Sequence, residues 1–282
     1  MHTGEVGNGG GERRLGLGWR VLIVLVAGVV IWRSVYGVAE WIFGSGYDRA
    51  GHVFRAVAIT ALVVPMVVLA RRFLDRRPWA GLRLAPPSQG WRPLLVGAAA
   101  YLVPLPIGLA VVLGLGWATL SVHASVGEVV LSAAGLLLLV LLYEALPEEL
   151  IFRGYLYRNL VTAVPAWLAV CAQAVLFSLF GLALGADVGR AVIFLGFGFV
   201  LGLIRMVTGS LWAPIGFHLL FQTCAQLAGP DWDLVTVTNR ETLEIAALGA
   251  IPIGLGAVAI RLLHRHPAVD QSAREPDPAP IG

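Results

Sequence analysis

Long apolar stretches dominate this chain of 282 residues and constrain its fold more than any other feature. About eight of them approach the ~20 residues that an α-helix needs to cross a bilayer. Only 13% of the residues are charged, whereas soluble domains carry about 25%. The sequence therefore predicts an all-α, polytopic transmembrane helical bundle of about eight helices and excludes a soluble fold. The predicted spans are residues 20–41, 53–70, 93–115, 129–147, 163–184, 191–206, 210–228 and 243–261.

The arginines give this predicted bundle an orientation. With a cytoplasmic N-terminus, 15 of the 20 basic residues fall at the cytoplasmic ends of the spans, which is the distribution that the positive-inside rule requires. These are Arg13, Arg14, Arg20, Arg71, Arg72, Arg76, Arg77, Arg83, Arg92, Arg153, Arg158, Arg205, Arg261, Arg265 and Arg274. The outer group is Arg33, Arg49, Arg55, Arg190 and Arg240. We therefore expect both termini in the cytoplasm, a location in the cell (plasma) membrane, and no nucleic-acid partner.

Changes of composition divide the chain into five parts. Residues 1–18 and 267–282 are rich in Gly, Pro and polar residues and are expected to be disordered tails. Between them we expect N-terminal transmembrane helices at 19–127, a core at 128–228, and an outer loop with the last transmembrane helix at 229–266. Within the core, the spacing of Gly198 and Gly202 predicts a close approach of two helices.

Three acids lie close together at the predicted cytoplasmic end of the fourth span. Glu144, Glu148 and Glu149 fall within six residues, and Arg153 stands four residues after Glu149, the favourable spacing for a helical ion pair. Pro147 should disturb the helix here and free backbone carbonyls. One interpretation is a solvated helix end at the membrane interface. The other is a poorly solvated carboxylate with a raised proton affinity, which suits a general base.

His218 is the only histidine that falls inside a predicted span. It lies about eight residues, roughly 12 Å, into the seventh span. Gln222 follows one helical turn later on the same face. A buried histidine of this kind is either a hydrogen-bonded structural group or a catalytic one, and the residues alone leave both readings open.

Taken together, the pair Glu148-Glu149 with Arg153, followed by His218 and Gln222, resembles the CPBP family of intramembrane proteases. This family includes type II CAAX prenyl endopeptidases and bacteriocin-processing or immunity (Abi) proteins. The resemblance implies that Glu148 activates the attacking water and that Glu149 and Arg153 hold the shape of the site. It also implies that His218 and Gln222 bind metal or steady the oxyanion, in a membrane cavity open to the cytoplasm.

The similarity covers about residues 128–228 and has two departures from the family pattern. The second family motif places a histidine four residues after a phenylalanine, but here Phe177 leads to Gly181, and the alternative register from Phe180 leads to Leu184. Gln222 stands where the third motif usually has asparagine, with the same amide chemistry on a longer side chain.

The missing histidine leaves two mechanisms open. A catalytic zinc usually has three protein ligands, so a zinc ion on His218 and Glu148 would have an incomplete ligand set, which Glu144 or Glu149 would have to complete. Gln173, two turns before Gly181 on the same helix face, is the polar residue expected nearest to the missing ligand. In the metal-free alternative Glu148 takes the proton of the water while the His218 and Gln222 side chains stabilise the oxyanion.

The expected function is an intramembrane endopeptidase that hydrolyses a peptide bond near the cytoplasmic face. Its partners would be a peptide or membrane-protein substrate and the lipid bilayer. The alternative, favoured by Gly181, is a catalytically degenerate relative acting as a membrane binding or immunity protein. A small transporter or channel is the third option. The sequence does not specify the substrate or the oligomeric state.

Overall fold

The apolar stretches fold into eight long helical segments in the computed structural model, which describes residues 15–263 and residue 279. Several segments are built from more than one helix. The α-helices are α1 (Leu17–Phe43), α2 (Arg49–Leu69), α3 (Pro87–Leu102), α4 (Leu105–Gly114), α5 (Val126–Val140), α6 (Leu146–Glu149), α7 (Tyr157–Leu160), α8 (Ala166–Leu184), α9 (Val188–Thr208), α10 (Trp212–Leu227), α11 (Arg240–Thr242) and α12 (Ile251–Leu263). Helical turns of π type occupy Ala70–Leu74, Leu141–Ala145, Leu150–Leu156 and Leu243–Ala250, and 3-10 turns occupy Trp79–Leu82 and Pro230–Trp232.

Seven of these segments within the described residues are long and apolar enough to cross a membrane. The one remaining segment, α10, corresponds to the predicted seventh span and has only 16 residues. The predicted all-α, multi-pass membrane bundle is therefore confirmed. The orientation of the termini stays a prediction.

Several boundaries differ from the sequence-based spans. Helix α1 begins at Leu17, inside the expected N-terminal tail of 1–18, and residues 1–14 lie outside the described part. The expected tail at 267–282 also lies outside it, except for residue 279. The expected span 93–115 consists of α3 and α4, which meet at Pro104, a residue that has no N–H with which to continue the first helix.

A two-stranded antiparallel sheet closes one end of the bundle. Strand β1 (Thr119–Val122) pairs with β2 (Val235–Thr238), with Thr119 opposite Thr238. The strands lie just before α5 and shortly after α10, so the sheet holds those two helix ends together. Such short strands give no distinct signal beside the apolar spans, and the sequence analysis did not predict them.

Helix α10 packs against α3 at backbone distance. A Cβ atom at Gly97 would overlap the carbonyl of Ala213, and one at Gly216 would overlap the carbonyl of Leu94. Both glycines are therefore required by this close approach, which is how helices pack in a membrane without a hydrophobic driving force. Since His218 is two residues beyond Gly216, the same contact fixes the position of the imidazole along the axis of α10 relative to α3.

We expect Gly216→Ala to lower the free energy of unfolding by about 1–3 kcal/mol, because overpacking at a backbone contact forces the helices apart. The midpoint of thermal unfolding in detergent measures this loss. The matched control is Gly196→Ala in α9, where a Cβ would meet nothing within 4 Å. That control should be neutral or slightly stabilising, since alanine is the better helix former. Equal loss in both variants would contradict the packing argument.

Helices α8 and α9 also pack closely, as the glycine spacing predicted. A Cβ at Gly198 would lie 3.3 Å from the backbone of Ala174, and one at Gly202 would lie 3.1 Å from the side chain of Val170. The pair therefore serves contacts within the chain.

A buried polar cluster ties the first two helical segments to the segment that carries the acids. The Asp75 carboxylate accepts from Arg20 at 2.6 Å, from Arg71 at 2.9 Å, from the Tyr155 hydroxyl at 3.1 Å and from Asn159 at 3.0 Å. Asp75 is fully buried, so its charge depends on these donors. The sequence analysis did not find this cluster, because its members come from three separate parts of the chain.

Candidate active site

The acids lie on an irregular part of a long helical segment that runs from Val126 to Leu160. The short helix α6, which contains Pro147 and Glu148, is flanked by π-helical turns at Leu141–Ala145 and Leu150–Leu156. Turns of this kind occur frequently at functional sites. The π-helical turns on both sides of Pro147 are the disturbance of the helix that the sequence predicted.

Glu149 and Arg153 form the ion pair that their spacing predicted. Arg153 Nη1 donates to Glu149 Oε1 at 3.0 Å, and both side chains are completely buried. The other terminal nitrogen of Arg153, Nη2, donates to the carbonyl of Gly198 at 3.1 Å. The guanidinium lies 4.7 Å from the ring centre of Phe177. This buried pair therefore links the acid segment to α8 and α9.

His218 joins this pair from α10. Its Nδ1 lies 3.0 Å from Glu149 Oε1, the oxygen that also accepts from Arg153. A carboxylate at this distance holds the proton on Nδ1 and sets the orientation of the ring. The ring of Phe197 packs edge-on against the imidazole at 5.0 Å between centroids. The acids of the fourth helical segment and the histidine of the seventh thus meet in one place.

Glu148 faces the other nitrogen of the imidazole. Glu148 Oε2 lies 3.9 Å from His218 Nε2, and its side chain is 17% exposed, whereas those of Glu149 and His218 are 0% and 1% exposed. The separation is too long for a direct hydrogen bond. Of the three groups, Glu148 is therefore the one that water and a ligand can reach.

Gln222 lies one turn beyond His218, but its amide is bound to a different acid. Gln222 Nε2 donates to Glu144 Oε2 at 2.5 Å, and Gln226 Nε2 donates to Glu144 Oε1 at 3.1 Å. The sequence analysis considered Glu144 as a possible zinc ligand, not as the partner of Gln222, and gave Gln226 no part in the site. The spacing of Gln222 and Gln226, four residues apart on one helix, is the signal that could have indicated a shared partner.

The position of the missing histidine is filled by another side chain. A Cβ atom at Gly181 would overlap the ring of Phe194 on α9. The nearby Gln173 does not add polarity there, because its amide donates to the carbonyls of Gly198 at 2.8 Å and Val170 at 3.0 Å. Gln173 instead shares the Gly198 carbonyl with Arg153.

A zinc site does not fit the donors that the structure brings together. Within the described residues, no group of three or more His, Cys, Asp or Glu side chains is arranged to hold a metal ion. His218 Nε2 and Glu148 Oε2 face each other, but Glu149 Oε1 is already bound to Arg153 and His218. The expected pair of ligands thus lacks the third protein ligand that a catalytic zinc usually has.

Because Phe194 fills the space beside Gly181, placing a histidine at position 181 should not by itself create a zinc site. Gly181→His alone should leave the zinc content unchanged and lower the unfolding temperature, because the new side chain would clash with Phe194. Gly181→His combined with Phe194→Ala removes the clash and should raise the zinc bound per chain. Elemental analysis measures the zinc content of both purified variants. A rise in zinc in the single variant would contradict this account.

A comparison with known protein families finds a match to the part of the chain that contains this site. Residues 130–224 match the family model described as Type II CAAX prenyl endopeptidase Rce1-like. The match contains both halves of the site, from the Glu148 segment to Gln222. No curated protein matches the chain in sequence. Residues 130–224 of this multi-pass membrane protein therefore form an Rce1-like domain of the type II CAAX prenyl endopeptidase (CPBP) family.

Proposed function

We propose that the chain is an intramembrane endopeptidase in which Glu148 activates the attacking water. The observation that carries this proposal is the pair of contacts made by His218, with Glu149 at 3.0 Å on one nitrogen and Glu148 at 3.9 Å on the other. Membership of a protease family supports the reaction class. Neither the substrate nor the activity follows from membership alone.

The contacts of His218 assign different tasks to the two adjacent acids. Glu149 is buried and bound by Arg153, so it orients the imidazole and balances its charge. Glu148 is partly exposed, and a water at about 2.8 Å from its carboxylate would also be within hydrogen-bond distance of His218 Nε2. The adjacent acids thus separate the positioning of the histidine from the activation of water.

In the proposed reaction Glu148 takes a proton from this water as the water oxygen bonds to the peptide carbonyl carbon. His218 keeps its Nδ1–H on Glu149, and when Nε2 also carries a proton the ring donates that Nε2–H to the oxyanion that forms. Glu148 then returns the proton to the nitrogen as the C–N bond breaks. Water is consumed, and one acid and one amine are produced.

One observation favours a second function, a non-catalytic membrane binding or immunity protein. Phe194 occupies the space beside Gly181, so the chain has replaced a polar family position with an apolar contact. In that case the Arg153–Glu149–His218 group would be a structural network only. This alternative predicts that no peptide is cut, and that binding to a partner survives loss of Glu148.

The purified protein in proteoliposomes distinguishes the two functions. The probes are two internally quenched peptides, one ending in a farnesylated cysteine and three further residues and one without the lipid, in heavy-oxygen water. The endopeptidase proposal expects cleavage with one heavy oxygen in the new carboxyl group. It expects cleavage to be lost in His218→Ala and kept in Thr223→Val, a neighbour on α10 whose buried hydroxyl has no hydrogen-bond partner. Failure to cut either peptide, or cutting that survives His218→Ala, would contradict it.

A further inference from the structure

A second group of buried polar side chains lies outside the candidate active site, at the end of the bundle that carries most of the arginines. Tyr157 and Arg158 belong to the short helix α7, and Arg205 belongs to the last turn of α9. The guanidinium of Arg205 lies 5.4 Å from the ring centre of Tyr157. All three residues are buried, with Tyr157 2% and Arg205 4% exposed.

Arg83 joins these residues from another part of the chain. It follows the 3-10 turn at Trp79–Leu82, and its carbonyl accepts from the backbone N–H of Leu211, next to the start of α10. The charges of Arg83 and Arg158 both act on the guanidinium of Arg205. Three cations and one hydroxyl therefore lie close together. We call Tyr157, Arg83, Arg158 and Arg205 the arginine cluster.

Two buried polar atoms of the arginine cluster are unsatisfied. Neither Arg205 Nε nor the Tyr157 hydroxyl has a hydrogen-bond partner among the described residues. In the same part of the chain, the charged groups that act on Arg205 are Tyr157 and the two arginines, and no carboxylate is among them. Buried donors and buried charges almost always have a partner in a folded protein. The unsatisfied atoms therefore indicate a partner with negative charge.

The end of a helix accounts for only part of this arrangement. Arg205 lies in the last turn of α9, where the unpaired carbonyls favour a cation. Two other buried arginines in the described residues have a carboxylate as well, since Arg71 pairs with Asp75 and Arg153 pairs with Glu149. The helix end explains neither the two further arginines beside Arg205 nor the hydroxyl that is buried with it.

A phosphate group matches the donors of the arginine cluster. A guanidinium presents a planar fork of N–H donors that fits two phosphate oxygens, and arginine is enriched where such recognition matters. The Tyr157 hydroxyl adds a neutral donor. Because a phosphate has more acceptor oxygens than a carboxylate, it can accept from several of these groups at once.

The position of the arginine cluster suits two carriers of this phosphate chemistry. Under the positive-inside rule, the end of the bundle with most arginines faces the cytoplasmic leaflet. Basic pockets between transmembrane helices on that side bind anionic lipid headgroups. Arg83 is the partly exposed member of the arginine cluster, so a ligand from the membrane surface or from solution reaches it first.

We propose that the arginine cluster is a binding site for a phosphate group, carried by an anionic lipid headgroup or by free phosphate. The bound phosphate connects α7, at the end of the acid segment, to the end of α9. Phosphate binding at this end does not require hydrolysis by Glu148, so it stands or fails separately from the endopeptidase activity.

Thermal unfolding of the full chain in an uncharged detergent tests the site. The anionic lipid probe is phosphatidylglycerol, and its control is a galactosyl diacylglycerol, which has the same kind of tails and no phosphate. The soluble probe is inorganic phosphate, and its control is sodium chloride at the same ionic strength. A ligand that binds only the folded protein raises the unfolding temperature.

We expect a saturating probe that carries phosphate to raise the unfolding temperature by about 5 °C, and both controls to leave it unchanged. A rise with phosphatidylglycerol alone would support the site and identify a lipid headgroup as its ligand. A rise with inorganic phosphate would support the site and identify the free ion. No rise with either probe, or equal rises with the controls, would overturn the proposal.

Three variants show whether the rise comes from the arginine cluster. Arg205→Met keeps a long side chain without the charge and should abolish the rise. Arg92→Met removes the same charge from an exposed position at this end and should keep it. Tyr157→Phe removes only the unsatisfied hydroxyl and should weaken the apparent affinity about tenfold.

Tyr157→Phe also keeps the proposal testable if Arg205→Met does not fold. An unchanged affinity in Tyr157→Phe, or a rise that survives Arg205→Met, would overturn the phosphate site. Loss of the rise in Arg92→Met would do the same, because it would show a general effect of surface charge.

Discussion

Glu148→Gln should lower the rate of peptide cleavage by about 10³-fold, because the amide keeps the shape of the side chain but cannot take a proton from water. The structure makes this the largest catalytic effect, since Glu148 is the only partly exposed group among Glu148, Glu149 and His218. Initial rates in proteoliposomes with the quenched peptides measure it. The unfolding temperature should change little, since Glu148 makes no hydrogen bond to His218.

The matched control is the Thr223→Val variant, which alters a buried polar side chain on the helix of His218 without touching the acids. It should cleave at the rate of the unmodified protein. A Glu148→Gln variant that retains more than a tenth of that rate would remove Glu148 from the role of general base.

Arg153→Ala should lower the free energy of unfolding by about 3–5 kcal/mol, because it leaves the buried Glu149 carboxylate without its counter-charge. It also removes one of the two donors to the Gly198 carbonyl, the one that links the acid segment to α9. Unfolding in detergent, followed by heat or denaturant, measures the loss. Cleavage should disappear as well, since Glu149 positions His218.

The double variant Arg153→Met with Glu149→Leu separates the two effects. Replacing both partners of a buried pair by apolar groups of similar size is often neutral or stabilising, so most of the lost stability should return. Cleavage should stay absent, because His218 would lack the carboxylate that orients it. Recovery of cleavage in the double variant would show that Glu149 has no positioning role.

The sequence could predict those features that depend on local spacing. Residues four apart on a helix face each other, and this rule was enough to predict the Glu149–Arg153 pair. The same reasoning placed Gln222 one turn from His218. The resemblance implied that His218 and the acids share one site, and the structure places His218 within 4 Å of both Glu148 and Glu149.

The remaining features depend on contacts between distant parts of the chain. Phe194 fills the space at Gly181 only because α8 and α9 pack face to face, and no spacing rule reports that. The partner of the Gln222 amide is Glu144, 78 residues earlier in the chain. The four donors to Asp75 come from three helical segments, so neither their number nor their identity could be read from a local pattern.

The central claim is that Glu148 and His218 form one hydrolytic site. Mapping of new protein N-termini in membranes of cells that express the unmodified chain, Glu148→Gln or Thr223→Val tests it most directly, because no substrate has to be chosen beforehand. The account predicts a set of new N-termini that is shared by the unmodified chain and Thr223→Val and missing with Glu148→Gln. Identical N-termini in all three membranes would contradict it.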